Sequence, residues 1–429
     1  MKVIKILVPI HTLPNVTSVV TSFFDNFLPV LKKKISVHMI WFVYQPDKLK
    51  ISTINFGSDV KVLDVHNYKN ALEVIKQEKP DLVFASATYG FMDYAFSLAS
   101  KHLGIPVISG FYSDLTFKRD KSKLIKSYAS RFFQNSIPTD TDQEEKQFMK
   151  RGRFYVYKYL FVLKTQIAIG MHLFDILRNF IRIFSNIFQS EKTFTFDPAF
   201  ANTLHWLEGE GLLKQLTRSG FEKSSLIVTG NPMYDSLVKK LQNYEPSKSK
   251  DDKIKVLLIT DALYEHGFYS LNQRDRMIKL TISEFSKYKN KISLTVKIHP
   301  SSESIKEYRD LIDKIDSTIP VYQKEDVIPF ISNTDIVIAF SSVTSALLYS
   351  LILKKPIIIC NYFNIYKDPF IEDDIAFECK SPDLLCSLIL QILKSNLAKD
   401  KIDDFIKKYL YKVDGKSSER ICDAIIKLL

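Results

Sequence analysis

Two short segments of this chain combine residue types that can hold an anion. They are Lys297-Ile298-His299-Pro300-Ser301-Ser302 and Phe340-Ser341-Ser342-Val343-Thr344-Ser345, each at the end of an apolar run. Hydroxyl side chains at a helix start cap free backbone N–H groups, and those N–H groups with the helix dipole form an anion site. Pro300 stops its strand and leaves the His299 imidazole at the rim, where it can donate to a phosphate oxygen as charge builds on a leaving group. Each segment alone also reads as plain structure, a strand-end histidine and an N-cap with extra serines. Lying one βα unit apart, they point together to a phosphate site made from Lys297, His299, Pro300, Ser341, Ser342, Thr344 and Ser345. A third loop, Thr260 to Gly267, follows a strand at the corresponding edge. Thr260 would touch phosphate there and Glu265 or His266 a sugar, although helix capping by Thr260 or Asp261 accounts for the same residues.

The elements that must position these loops follow from the hydrophobic pattern. Apolar runs at 255–259, 294–298, 321–322, 335–339 and 356–360 alternate with helical periods, which predicts βαβ units and a parallel sheet buried on both faces. The helix behind the serines spans Ala346 to Leu353, and helices from Pro382 to Leu393 and Asp403 to Leu429 are expected to close this half. The N-terminal half shows the same alternation, with strands at 3–8, 37–44, 60–65, 82–86, 106–109 and 226–229 and a helix at 91–103. Tyr244 to Asp252 is the most linker-like stretch. The expected division is therefore 1–244, a linker at 245–252, and 253–429 with the last helix free to cross back.

Between about 118 and 192 the alternation breaks into a helical insertion. Lys158, Thr165, His172, Asn179 and Asn186 recur every seventh residue in an apolar-aromatic stretch from Tyr155 to Phe188, a polar stripe on an amphipathic helix or helix pair. Charges at Lys158, Lys164, Asp175, Arg178 and Arg182 leave no uninterrupted run near the roughly 18 residues a spanning helix needs. The stretch either lies in a membrane interface or packs on the core or a second subunit.

The chain has 429 residues, 46% of them hydrophobic, enough for two sizeable cores, so disorder is excluded as the default. A formal charge of +12 suits an anionic partner or a solvated basic surface. No aromatic-interleaved basic stripe or nucleic-acid motif appears, which ranks nucleic acid last. Cys360, Cys379, Cys386 and Cys422 show neither CxxC nor zinc-ligand spacing and read as reduced, buried thiols; no metal site is expected. The N-terminal residues read as a first strand, which makes the expected location cytoplasmic or peripheral on the inner face of a membrane.

The segments KIHP, SSVTSALLYSLILKKPIII and SLIVTGNPMYDSL resemble the GT-B enzymes that build microbial surface glycans. Similar groups are the capsule-type sialyltransferases and polysialyltransferases, the CDP-glycerol glycerophosphotransferases and the UDP-N-acetylglucosamine 2-epimerases. The resemblance runs well from Leu204 to the C-terminus and in the first half only as a βα pattern. It implies two Rossmann-like domains facing a central cleft. His299, Ser341 and Ser342 would bind a donor phosphate, and Gly230-Asn231 would lie near the hinge. The activity implied is a metal-independent, inverting glycosyl transfer from a nucleotide-activated sugar to a glycan or lipid-linked acceptor, with no cofactor. Ala85-Ser86-Ala87-Thr88 and Ile108-Ser109-Gly110-Phe111 stand where hydrolysing epimerases carry acids, which ranks epimerase below transferase.

Inverting transfer needs a base for the acceptor hydroxyl. Asp114, just past a strand, is the first choice, with Asp93 and Asp197 in reserve. The sialyltransferase group uses an acidic pair followed by Gly. Glu208-Gly209-Glu210-Gly211 is similar but split by a glycine, and it reads more readily as a surface helix. The rivals to transfer are hydrolytic epimerisation, glycerophosphate transfer of the CDP-glycerol type, and a non-catalytic scaffold. Donor, acceptor and homo-oligomeric state stay open.

Overall fold

The computed structural model describes residues 3–11, 13, 19–45, 47–49, 57–85, 90–111, 141–189, 201–242, 252–265, 269–300, 302–341, 344–363, 368–394 and 399–429. Within 141–153 and 182–189 only the helical backbone is described. Two α/β units, each with a parallel sheet, make up the fold. Its first unit comprises Met1–Ser113, Pro138–Gln242 and Lys408–Leu429, and Asn243–Lys407 belongs to the second.

In the first unit, seven parallel strands form one sheet. They are β1 (Ile4–Ile10), β2 (Val37–Val43), β3 (Val60–Asp64), β4 (Leu82–Phe84), β5 (Val107–Phe111), β6 (Leu204–Leu207) and β7 (Leu226–Val228), ordered β3-β2-β1-β4-β5-β6-β7. The helices are α1 (Val19–Lys32), α2 (Ala71–Glu78), α3 (Phe91–His102), α4 (Thr141–Ala168), α5 (Leu173–Gln189), α6 (Glu210–Arg218) and α7 (Met233–Gln242). Burial on both sheet faces explains the continuous apolar strands. Ile6 and Val8 pack with Phe23, Phe27 and Trp206 on one side, while Leu7, Ile40 and Phe42 pack with Phe96 and Phe161 on the other. The Trp206 ring lies over β5 so closely that a Cβ on Gly110 would stand 2.1 Å from it, which is why this strand carries glycine there.

Six parallel strands build the second sheet, β8 (Ile254–Ile259), β9 (Ile292–Lys297), β10 (Val321–Tyr322), β11 (Ile336–Ala339), β12 (Ile357–Cys360) and β13 (Phe377–Cys379), ordered β10-β9-β8-β11-β12-β13. Around it lie α8 (Leu271–Ser286), α9 (Ile305–Asp316), α10 (Val327–Ser332), α11 (Ser345–Ile352), α12 (Pro369–Glu372), α13 (Leu385–Lys394) and α14 (Lys399–Tyr409). All four cysteines are buried and form no disulfide.

The structure bears on three of these expectations. The last helix, left free to cross back, does so: α15 (Ser417–Leu428) completes the first unit and not the second. Its Ile421, Cys422 and Ile425 enter the first core, and its first N–H groups, from Ser417 and Ser418, donate to the Asp235 carboxylate at 3.0 and 2.8 Å. Two strands, β6 and β13, escaped the sequence reading. In β6 the buried polar His205 breaks the apolar run; its ring takes the Asn202 N–H at 2.8 Å and meets Ser109 Oγ at 2.7 Å. The third concerns α4. Thr165, read as part of an outward polar stripe, is buried, accepts the Ala71 N–H at 3.1 Å and donates to Phe161 O. The linker expected at 245–252 falls, up to residue 251, outside the described residues.

Among the described residues no helix is long and apolar enough to cross a membrane.

Candidate functional site

In an open parallel sheet, ligands bind outside the carboxyl ends of the strands where the strand order reverses. In the second sheet that point lies between β8 and β11. The loops leaving those two strands begin with Thr260-Asp261 and with Phe340-Ser341, and the two are joined: Ser341 Oγ donates to Asp261 Oδ2. Both side chains are buried. Burial, reinforced by the neighbouring Glu303 and Asp368 carboxylates, holds the Asp261 carboxyl well above the usual carboxylate range despite the Ser341 hydrogen bond. The Asp261 Oδ1 is buried without a hydrogen-bond partner among the described residues. The chain can turn sharply here because Ala262 takes a left-handed φ of 53°.

Beyond Ser341 the chain enters α11. Its N-cap is Thr344, whose Oγ1 accepts the Ala346 N–H at 3.4 Å, so the cap is supplied by the threonine and not by a serine. The backbone places Ser345 at the first helical residue. Ser342 lies outside the described residues.

One strand further out, β9 delivers the His299 loop. The Glu303 carboxylate organises it by accepting the His299 N–H at 2.6 Å together with the hydroxyls of Thr260 and Tyr308. Gln323 Nε2 donates to the carbonyls of Glu303 at 2.6 Å and His299 at 3.4 Å. On the ring, His299 Nδ1 accepts the Ser302 N–H at 3.2 Å. In the neutral imidazole the proton then sits on Nε2, which makes that atom a donor.

The other expected phosphate ligands have different employment. The Thr260 hydroxyl is spent on Glu303, and the next helix is capped by Ser270 and not by Thr260. Lys297 is buried and donates to the carbonyls of Ile298 and Gln323, tying β9 to the segment after β10. Pro300 is an exposed turn residue. Glu265 pairs with Arg274 at 3.6 Å, and His266 falls outside the described residues. Sequence reasoning missed Asp261 and Glu303. Their positions just past a strand and four residues after a histidine carry no pattern, and their importance comes from what folds over them.

In the first unit the strand order reverses between β1 and β4. His11 directly follows β1, Tyr44 directly follows β2, and Asp93 lies in the first turn of α3 behind β4. α4 adds Lys158, whose Nζ sits 5.2 Å from the Tyr44 ring centre and 4.8 Å from that of Phe154. The His11 and Tyr44 rings are 6.4 Å apart. Burial and the Asp93 carboxylate, to which Tyr44 donates, hold the phenol well above its usual range. Loss of solvent, then the Lys158 ammonium, lowers the pKa of His11, which keeps its ring neutral at pH 7. Burial lowers that of Lys158, opposed by Asp93. Asp114 and Asp197 lie outside the described residues.

Glu208 and Glu210 belong to the same unit but to a different place. Glu208 is the buried residue between β6 and α6, within 3.4 Å of Asn231 Nδ2, and Glu210 opens α6. The intervening glycines are explained by packing: a Cβ on Gly209 would lie 2.2 Å from the Lys408 carbonyl oxygen, and one on Gly211 3.0 Å from it. Gly230 has a φ of 78° and sits under Ser417 at 2.7 Å from the Cβ it lacks, while Asn231 Oδ1 accepts the Met233 N–H at 3.0 Å. Glu208, Gly230 and Asn231 thus form the seat of the returning C-terminal segment.

No family profile matches the sequence, and no curated protein does so either. Solved structures do share its fold. A UDP-GlcNAc 2-epimerase from Neisseria meningitidis, bound to UDP-GlcNAc, aligns over 99% of this chain and 100% of its own at 13% identity and a TM-score of 0.53. MnaA of S. aureus with UDP aligns over 99% and 98% at 14% and 0.50, and the glycotransferase of kitacinnamycin over 100% and 99% at 9% and 0.52. At such identities the likeness is one of fold alone.

Proposed function

We propose that the chain is a metal-independent, inverting glycosyltransferase that moves a sugar from a nucleotide-activated donor to a glycan or lipid-linked acceptor in surface-glycan synthesis. The observation that carries this is the Asp261–Ser341 hydrogen bond across the second sheet's switch point, beside an α11 start and a His299 whose Nε2 carries its proton. The set combines a hydroxyl–carboxyl pair, an imidazole N–H and a backbone dipole. Such a set favours a phosphate whose negative charge grows as the glycosidic bond breaks, with no metal needed to offset it. Lys297, Pro300, Ser342 and Ser345 remain secondary candidates, and Thr260 acts through Glu303 on the loop's shape.

Transfer also needs a proton acceptor. Asp114 keeps that role as one proposal. Among the described residues the first unit's switch point offers His11, neutral and beside Lys158, with Asp93 holding Tyr44. In the step proposed, the acceptor oxygen forms its bond to the anomeric carbon, the carbon–phosphate oxygen bond breaks with both electrons leaving on the nucleotide, and the hydroxyl proton passes to the base. The test is a screen of UDP-, CMP-, GDP- and CDP-sugars for thermal stabilisation, followed by turnover with an acceptor in the presence of a chelator. A strict divalent-metal requirement, or no stabilisation by any nucleotide, sinks the reading.

Hydrolytic epimerisation is the second reading, favoured by the fold shared with 2-epimerases at 12–15% identity. Incubation with UDP-GlcNAc alone separates the two: release of UDP and free sugar without an acceptor supports epimerisation.

A further inference from the structure

The helix pair α4–α5 is built inside out for a helical hairpin on a protein surface. α4 packs on the first core through Phe161 and Val162, with Thr165 bonded to the α2 start. The opposite side of the same helix carries Val156, Leu160 and Ile167, all exposed. After the turn at Gly170, α5 buries Ile176 and is held to α4 by the Tyr159 and Phe180 rings, 5.1 Å apart. Its outer side presents Leu173 and Phe174, 77% and 67% exposed, and then Leu177 and Ile181. Spacings of four along both helices make these residues continuous stripes. A contiguous apolar surface of this kind marks an interaction site.

Charge decides the partner. Lys164 lies in the α4 stripe, four residues after Leu160, and Arg178 adjoins Leu177 on α5; both are exposed. Between residues 154 and 181 the only acid is Asp175, which Arg178 engages at 2.8 Å. A second copy of this face would set cation against cation. An anionic surface would meet both, and long basic side chains can lie along apolar surface with their heads at its polar boundary.

We infer that the outward face of α4–α5 docks the protein on an anionic lipid surface, with the Leu173–Phe174 tip and the Leu177–Ile181 stripe in the acyl boundary and Lys164 and Arg178 among the headgroups. This does not depend on the transfer reaction. The full chain is to be sedimented with vesicles of equal parts phosphatidylglycerol and phosphatidylcholine, and with phosphatidylcholine alone. The expected result is binding to the anionic vesicles, weaker by about tenfold or more without the anionic lipid or in high salt. Phe174→Glu with Leu177→Glu abolishes it, and Lys164→Glu with Arg178→Glu reduces it, each with an unchanged thermal transition. No binding to anionic vesicles overturns the inference. Equal sedimentation of wild type and Phe174→Glu/Leu177→Glu overturns it too, as does a lipid-free dimer that this variant splits, which assigns the face to a second copy. If the glutamate pair at 174 and 177 does not fold, the Lys164→Glu/Arg178→Glu result decides alone, because both positions are exposed.

Discussion

The two sheets reverse their strand order in the same way, yet they furnish the reversal with opposite chemistry. Between β8 and β11 the side chains are already bonded to one another: Asp261 to Ser341, and Glu303 to Thr260, Tyr308 and the His299 backbone. Between β1 and β4 they are titratable and set against each other: His11 beside Lys158, Tyr44 against Asp93. The first arrangement suits a group that accumulates charge and must be held. The second suits a group that must lose a proton. Rigidity and titratability have been separated into different halves of the chain.

The largest way to break this contrast is His299→Ala with Ser341→Ala. Donor turnover should fall about 10²–10³-fold, with the nucleotide-dependent thermal shift reduced. A double variant that keeps wild-type turnover removes the second sheet from the chemistry.

His11→Gln sharpens the other side. A loss of about 10²-fold in kcat is expected with the nucleotide shift intact. A structural role is told apart by the pH profile. The Lys158 charge lowers His11, so Lys158→Met should move the acid limb of kcat/KM to higher pH, part of the way because loss of solvent is the larger cause. An unmoved limb refutes the assignment.

Gly209→Ala tests the claim that the Glu208–Gly211 motif serves packing. The new methyl would press on the Lys408–Tyr409 backbone and cost about 2–3 kcal/mol in the first unit. Calorimetry should show that loss without a change in the nucleotide shift.

The last test is a pH dependence of the first unit, silent at neutral pH. Burial, then Lys101, lowers His205 to about 3. The unfolded chain therefore binds the extra proton first on acidification. Stability is full above the ordinary histidine value of about 6.5 and falls by about 1.4 kcal/mol per pH unit between there and the folded value. Denaturant titrations of wild type and His205→Gln below pH 6 check it: parallel slopes would exclude His205 as the source.

Much of this was legible beforehand for a definite reason. Strands buried on both faces must be apolar throughout, so β1, β2, β8, β11 and β12 stood out, and the loops at their ends carried the serines and His299 with them. The reading failed where burial was purchased by polar partners. β6 hid because His205 is satisfied by Ser109 and the Asn202 N–H, and α4 was turned over because Thr165 is satisfied by Ala71. Asp114, first choice as base, stays a sequence-level proposal.

The sequence by itself determined two parallel α/β layers and the segments that reach their carboxyl edges, since local periodicity and strand-end residues are written in neighbouring positions. Only the tertiary structure decided which groups work together. Asp261 is buried against Ser341, 80 residues away; Glu208 and its glycines become a seat for Lys408; and the apolar side of α4 is left facing outward. Each of these is a property of proximity across the chain, which desolvates a carboxyl or fills the space of a Cβ without leaving a mark in the local pattern.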